Sequence, residues 1–209
     1  MARLRGAAGA YLVDAMQPKQ LTTLVATVVE DFGGLDILVT CAGIFTGGMI
    51  GEIHLEDYRT TMAVKVDAIF VTTQELNYLP DGGRIINIGS VLGERATAAG
   101  MSPYNASKFA VAGLTRSWAK DLGPRNILVN AIQPGPFATE MNRFDGRKGD
   151  FMRSQTALGR YARPEEIAAV ALFLAGPGAS YITGATFNVD GGGTLKEPRM
   201  RSFDEIFAL

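Results

Sequence analysis

The sequence has few residues of the kinds that build disulfides, metal clusters or basic surfaces. A single cysteine, Cys41, excludes an internal disulfide and a cysteine-based metal site, which favours a cytoplasmic protein. The 209 residues carry 20 Lys and Arg against 21 Asp and Glu, so the excess of positive charge that nucleic-acid and membrane-surface proteins need is absent. Apolar runs such as 167–175 are too short to cross a bilayer. With 47% hydrophobic residues, the composition instead predicts one globular domain.

Short apolar segments alternate with segments whose apolar residues recur at helical spacing. Strands are predicted at 10–13, 36–40, 84–88, 127–132 and 186–190, and helices at 21–32, 55–76, 104–122 and from 164 onward. This alternation predicts an α/β fold, a doubly wound Rossmann-like parallel sheet covered on both faces. We expect the domain to span residues 1–192, followed by a C-terminal tail at 193–209.

A tyrosine and a lysine stand four residues apart in one predicted helix, at Tyr104 and Lys108. Residues at this spacing share a helix face, and a nearby ammonium lowers a tyrosine pKa from about 10. General acid–base catalysis near neutral pH needs such a shift. The pair alone would also fit an exposed helix surface. The position of Ser90 favours a catalytic site over a surface pair, because Ser90 follows strand 84–88 at the sheet edge where open α/β sheets bind ligands.

Several segments, taken in their order along the chain, resemble the short-chain dehydrogenase/reductase family. The resemblance extends from about residue 11 to residue 192. Its segments are DILVTCAG at 36–43, NIGS at 87–90, YNASK at 104–108, NAIQPGPFAT at 130–139, RPEE at 163–166, YITG at 181–184 and NVDGG at 188–192. It implies an enzyme that moves hydride between NAD or NADP and a small carbonyl or alcohol substrate.

The resemblance also implies roles for individual residues. Tyr104 would be the general acid in reduction and the general base in oxidation, and Ser90 would hold the substrate oxygen. Lys108 would bind the nicotinamide ribose and lower the pKa of Tyr104. The residues implied to line the cofactor site are Asp14, Ala42, Gly43, Asn87, Tyr104, Lys108, Pro134, Gly135 and Thr139. A substrate lid is implied at 141–158.

The opening of the family pattern has no counterpart in this sequence. The glycine-rich turn T-G-x-x-x-G-x-G is not found, and the strand predicted at 10–13 matches the family's third strand. On the order of 50 residues, or two βα units, are therefore expected to be missing, together with the residue that separates NAD from NADP. We expect a fragment or a misassigned start, and an unpaired apolar edge on strand 36–40.

Position 65 departs from the family in a way that bears on catalysis. Lys65 stands where the family usually has an asparagine that helps to hold a water relay to the active-site lysine. A lysine offers only donors and brings a second cation near Lys108. We include Lys65 among the catalytic candidates, because two cations would either lower the pKa of Tyr104 further or break the relay. The alternative is that Lys65 points to solvent.

Several other residues depart from the family or are rare in this sequence, and structural positions are expected for them. Thr40 and Cys41 replace two asparagines of the family, so Thr40 is expected to brace the neighbouring strands less well and Cys41 to serve packing. His54 is expected at the surface. Trp118 and Phe109 are expected in the core or in a subunit interface.

Two functions stay open at this point. The first is the NAD(P)-dependent oxidoreductase that the intact Ser-Tyr-Lys set favours. The second is a catalytically inactive ligand-binding or regulatory protein. It is suggested by the missing glycine-rich turn and by Lys65. In addition, 89–95 and 129–136 resemble the biofilm-dispersal-mediator branch, some of whose members are regarded as nucleotide binders; the nearest relatives are expected in this branch or among 3-oxoacyl-reductase-like members. The family also implies homodimers or homotetramers formed through the helices at 55–76 and 104–122.

Overall fold

The computed structural model describes residues 7–138 and 146–195 of the chain. Within them, parallel strands form one sheet in the order of the sequence: β1 Ile37–Thr40, β2 Arg84–Ile88, β3 Leu128–Pro134 and β4 Thr186–Val189. Thr40 pairs with Asn87, and Asn87 pairs with Ala131. The carboxyl ends of the strands therefore lie at one edge of the sheet. The predicted α/β Rossmann-like fold is confirmed.

Helices connect and cover the strands. Those in the described residues are α1 Pro18–Phe32, α2 Leu55–Met62, α3 Ala68–Gln74, α4 Ser102–Leu122, α5 Gly146–Ser154 and α6 Pro164–Ala175. Proline occupies the first turn of α1, α4 and α6, where its missing N–H costs no hydrogen bond. Gly33 ends α1 with a φ of 80°, a conformation that glycine adopts without a steric penalty.

The core consists of one apolar layer on each face of the sheet. On one face, Ile85 and Val129 pack with Val111 and Trp118 of α4. On the other face, Ile86 and Ile132 pack with Ile167 and Leu174 of α6. Burial of each such side chain contributes roughly 1.5–3 kcal/mol, so the two layers hold β2 and β3 firmly in place.

The helix predicted at 55–76 is interrupted. Helices α2 and α3 are joined by a π-helical turn at Ala63–Asp67, and α3 ends at Gln74. Single π-helical turns occur mostly inside α-helices and often at functional sites. Hydrophobic spacing alone does not reveal such a turn, since the apolar pattern continues on both sides of it.

The strand predicted at 10–13 is wrong, because this segment pairs with no strand of the described sheet and Leu12 is fully exposed. The unpaired apolar edge expected on β1 is present, with Ile37 and Val39 41% and 47% exposed. A segment without hydrogen-bonding neighbours gains nothing from an extended conformation, which explains why 10–13 forms no strand. The edge of β1 is open because β1 pairs with β2 alone in the described sheet.

Residues 139–145 and 196–209 lie outside the described residues. They include Thr139 and most of the predicted tail. None of the helices in the described part of the chain has the length and apolar character that crossing a membrane requires.

Candidate active site

The candidate site lies at the carboxyl edge of β2 and beside the first turns of α4. Ser90 follows β2 in extended backbone, is 7% exposed, and its hydroxyl accepts a hydrogen bond of 3.2 Å from the Leu92 N–H. Tyr104 and Lys108 project from α4, one turn apart. The structure thus brings the three predicted catalytic residues together at one edge of the sheet.

Lys108 is fixed by the strand that precedes Ser90. Its Nζ donates a hydrogen bond of 2.8 Å to the Ile88 carbonyl oxygen, and the residue is 6% exposed. A lysine ammonium has three donors, so this bond leaves two N–H groups for a ligand. A buried amine with donors to spare is suited to bind hydroxyl groups.

The Tyr104 ring contacts side chains from three elements. Phe45, in the loop after β1, packs against it with ring centroids 5.6 Å apart and a tilt of 54°. The Nζ of Lys65 lies 4.7 Å from the ring centroid and that of Lys108 lies 5.8 Å from it. Two amines therefore lie within cation–π distance of one tyrosine.

Lys65 points inward and not to solvent. It belongs to the π-helical turn and is 4% exposed. A Cβ added to Gly43 would lie 2.5 Å from Lys65 Nζ, so any side chain at position 43 would displace the amine. The missing side chain of Gly43 thus makes room for the second lysine of the site.

The charges of the site differ from the sequence-based expectation. Burial raises the pKa of Tyr104 above its ordinary value, and a hydrogen bond with the Ser90 side chain acts in the opposite direction. Burial, and after it repulsion from Lys65, lower the pKa of Lys108 to about 7. Burial also lowers the pKa of Lys65. The expectation that two cations would lower the pKa of Tyr104 was wrong, because the effect of burial on this pKa outweighs that of the Ser90 hydrogen bond.

Asn87 braces the strands under the site. Its Oδ1 accepts a hydrogen bond of 2.8 Å from Thr40 Oγ1, and its Nδ2 donates one of 2.9 Å to Thr115 Oγ1. Asn87 is fully buried, and the chain of bonds links β1, β2 and α4. Thr40 therefore does brace its neighbour, although it makes a single bond. The side chain of Asn87 serves this brace, so its place in a cofactor site would rest on the backbone.

The other described residues that were predicted to line the cofactor site lie around its edges. Ala42 is exposed at the end of β1, and Asp14 is exposed before α1, where its carboxylate accepts a hydrogen bond from the Met16 N–H. Pro134 ends β3. Gly135 packs closely on the Asp190 backbone, and an added Cβ would lie 2.7 Å from Asp190 Cα. This contact is sufficient to require a glycine here, whether or not a cofactor binds.

Cys41 is exposed, so the expectation that it serves packing was wrong. Its position directly after an edge strand explains this. His54 is exposed at the start of α2, as predicted. Trp118 lies in the core and Phe109 is 47% exposed. Among the described residues, no group of His, Cys, Asp and Glu has the arrangement of a metal site.

Sequence reasoning missed two residues of the site, Phe45 and Thr115. Phe45 follows the segment after β1 at the sheet edge, where side chains face a ligand cleft. Thr115 lies two helical turns after Lys108 on the same helix face. Both residues could have been predicted from these positions, although neither phenylalanine nor threonine suggests a catalytic role by itself.

Known proteins resemble this chain in sequence and in structure. A family described as Enoyl-(Acyl carrier protein) reductase matches residues 1–194. The Cyclic-di-GMP-binding biofilm dispersal mediator protein of Escherichia coli K12 is 42% identical over 80% of this chain and 71% of its own length. A short-chain dehydrogenase/reductase of Serratia marcescens is 44% identical, with a TM-score of 0.89 over 92% of this chain and 79% of that chain.

A blue fluorescent protein from a metagenomic library, solved with NADPH, is 45% identical to this chain. Its TM-score is 0.84, over 86% of this chain and 73% of that chain. The protein is therefore an NAD(P)-dependent oxidoreductase. It belongs to the short-chain dehydrogenase/reductase family.

The residues present fit the nicotinamide end of such a cofactor. Lys108 keeps two N–H donors in a buried position beside Tyr104, and ribose hydroxyls are acceptors of the matching kind. The half-buried Gly43 and the carboxyl ends of β2 and β3 form the adjoining edge of the sheet.

Proposed function

We propose that this oxidoreductase reduces a carbonyl group, or oxidises the corresponding alcohol, with Tyr104 as the group that gives and takes the proton. The observation that supports this role is the convergence of Ser90, Tyr104 and Lys108 at the carboxyl edge of β2. Each comes from a different position in the sequence, and each has the chemistry that the step requires.

The nicotinamide, when bound, supplies or accepts the hydride. In reduction, Tyr104 Oη gives its proton to the substrate oxygen while the Ser90 hydroxyl donates a hydrogen bond to the same atom. In oxidation the proton returns to Tyr104. Because burial raises the pKa of Tyr104, its hydroxyl is protonated at neutral pH and ready to act as the acid.

The cofactor-holding role belongs, in this proposal, chiefly to Lys108. Its free N–H groups would bind the ribose hydroxyls, while its bond to the Ile88 carbonyl fixes the amine in place. The backbone of Ala42, Gly43 and the turn after Pro134 would adjoin the same ligand. Lys65 is the fourth residue of the proposed site, because it is buried against the Tyr104 ring.

Replacing Tyr104 tests the proposal most directly. Purified protein is first titrated with NADH and with NADPH by fluorescence, and carbonyl substrates are then screened with the cofactor that binds. Tyr104→Phe is expected to lower kcat by about 10²–10⁴-fold, and Ser90→Ala by about 10²–10³-fold. Tyr181→Phe is the matched control, because Tyr181 is fully exposed. Turnover that survives Tyr104→Phe would refute the role of Tyr104.

The same experiment separates the enzyme from a ligand-binding protein without activity. A non-catalytic protein would bind NADH or NADPH and turn over none of the substrates, and Tyr104→Phe would then change nothing but affinity. The convergence of Tyr104 with the buried Ser90 and Lys108 favours the enzyme, since a protein that only binds has no need of a proton donor there.

We further propose that the chain forms homodimers or homotetramers in the cytoplasm. The exposed aromatic residues Tyr58, Phe70 and Phe109 lie on α2, α3 and α4, and apolar side chains of this size on a surface favour association. A cytoplasmic location accords with the free Cys41. Light scattering of wild type and of Phe109→Glu tests the interface, and a monomeric wild type would contradict it.

A further inference from the structure

We propose that Lys65 is a positioning residue that acts through Lys108: the two buried amines share the charge beside Tyr104, so that a proton on one disfavours a proton on the other. This inference deepens the proposed function and rests on it only for the catalytic consequence. The coupling between the two lysines is a property of the chain itself and can be measured without a cofactor.

The geometry places both amines at one ring. Lys65 Nζ and Lys108 Nζ lie 4.7 Å and 5.8 Å from the Tyr104 ring centroid, and the two residues are 4% and 6% exposed. Lys65 comes from the π-helical turn and Lys108 from α4, so two separate elements hold them together. Among the described residues, neither amine forms a salt bridge.

No nearby carboxylate offsets this pair in the described part of the chain. The amines lie against the Tyr104 ring of α4. Cys41, directly after β1, acts to raise the pKa of both lysines. Asp67 shares the π-helical turn with Lys65 but is exposed. From β2, the Ile88 carbonyl accepts a hydrogen bond from Lys108.

Two like charges in a poorly solvated space repel each other more strongly than in water. The pKa of Lys108 falls to about 7, first through burial and then through the charge of Lys65. Near neutral pH the pair therefore carries less than two full charges. Lys65 thus shifts, beyond the effect of burial, the pH at which Lys108 loses the ammonium that would hold the ribose and stabilise a phenolate.

Isotope-labelled lysine NMR, recorded as a function of pH on the free protein, measures this coupling. Lys65→Met removes the amine and keeps an unbranched chain of similar length, and Lys108→Met assigns the Lys108 signal. We expect the Lys108 midpoint to rise by about one pH unit or more in Lys65→Met. Lys65→Arg keeps a charge and should hold the midpoint low.

The control is Lys120→Met, which removes an exposed lysine near the end of the same helix. If the Lys108 midpoint in Lys65→Met equals that in Lys120→Met, the inference is overturned. Circular dichroism verifies the fold of each variant, and Lys65→Gln replaces Lys65→Met if that protein does not fold. A midpoint that Lys65→Gln also leaves unchanged would overturn the inference in the same way.

The activity readout is the pH profile of kcat/KM, whose alkaline limb should move upward with the Lys108 midpoint in Lys65→Met. The two hypotheses fail differently. An unmoved midpoint in a protein that Tyr104→Phe inactivates defeats the coupling alone. A moved midpoint in a protein that Tyr104→Phe leaves unaffected defeats the proposed function and not the coupling.

Discussion

Strands β1 and β3 are both apolar and run parallel in the same sheet, yet their surroundings differ sharply. All seven residues of β3 are buried, whereas in β1 Thr40 alone is buried. β3 has a strand on each side and helices on both faces, while in the described sheet β1 has a neighbour on one side only. Burial therefore depends on the number of neighbours and not on the apolar character of the strand.

The residues of the candidate site show the same difference between the centre and the edge of the sheet. Ser90 and Lys108, which depend on β2 and α4, are buried and hydrogen-bonded. Cys41 and Ala42, which follow β1, are exposed. The side of the site that we propose transfers the proton is thus built on the centre of the sheet, and the side that would adjoin the rest of a dinucleotide is built on its edge.

The contrast between the strands predicts a large difference in the cost of truncation. Ile132→Ala in β3 should lower the free energy of unfolding by about 2–5 kcal/mol, because a fully buried side chain leaves a cavity. Ile37→Ala in β1, which is 41% exposed, should cost less than about 1 kcal/mol. Urea unfolding measures both. Equal costs would show that β1 is as well covered as β3.

A smaller effect is expected at the bridge between the two regions. Asn87→Ala leaves the buried Thr115 hydroxyl without the donor it accepts from, and should cost about 1–3 kcal/mol. Thr40→Val removes one bond on the edge side and should cost less. The same unfolding measurement ranks them. A costlier Thr40→Val would mean that β1 depends on the brace more than α4 does.

The comparison also explains what the sequence predicted and what it did not. The strands at 84–88 and 127–132, and the helix at 104–122, were predictable because their residues have neighbours that the periodicity implies. The same rule predicts a strand at 10–13, but a strand also needs a neighbour to pair with, and the periodicity of a segment does not show whether one is present. Tyr104 and Lys108 were predictable from their spacing. The inward direction of Lys65 was not, since it depends on a π-helical turn and on the space beside Gly43.

The pH dependence of stability is expected to reveal the two buried amines. Between about pH 7 and about 10.5, Lys108 keeps its proton in the unfolded chain and loses it in the folded one. Since the unfolded state then binds more protons, the free energy of unfolding rises with pH across this window.

Holding a proton on the buried Lys108 destabilises the folded state, and part of this cost comes from repulsion by Lys65. Lys65→Met removes that repulsion and should stabilise the protein by on the order of 1 kcal/mol at pH 7. The gain should shrink as the pH rises toward 10.5, because Lys108 is then neutral in the folded wild type and in the folded variant alike. Thermal unfolding of wild type, Lys65→Met and Lys120→Met at several pH values measures the effect. A gain that does not change with pH would have a different origin.

The smallest effect on stability is expected at the exposed edge itself. Val39 is 47% exposed, so Val39→Lys should change the free energy of unfolding by no more than about 0.5 kcal/mol. A lysine on an edge strand opposes pairing with another strand, so aggregation of the chain should decrease. Light scattering during prolonged incubation compares the variant with wild type, and unchanged aggregation would mean that the edge of β1 does not cause it.

The π-helical turn at Ala63–Asp67 makes the segment between β1 and β2 sensitive to the number of residues in it. A turn with one extra residue rotates everything after it by about 100° relative to a continuous α-helix. Thr61 before the turn and Ile69 after it are both buried, and Lys65 between them reaches Tyr104. Deletion of a single residue here would bring the helix back into phase and rotate either Lys65 or Ile69 away from its contacts. Insertions and deletions should therefore be tolerated less well in this helix than substitutions of its side chains.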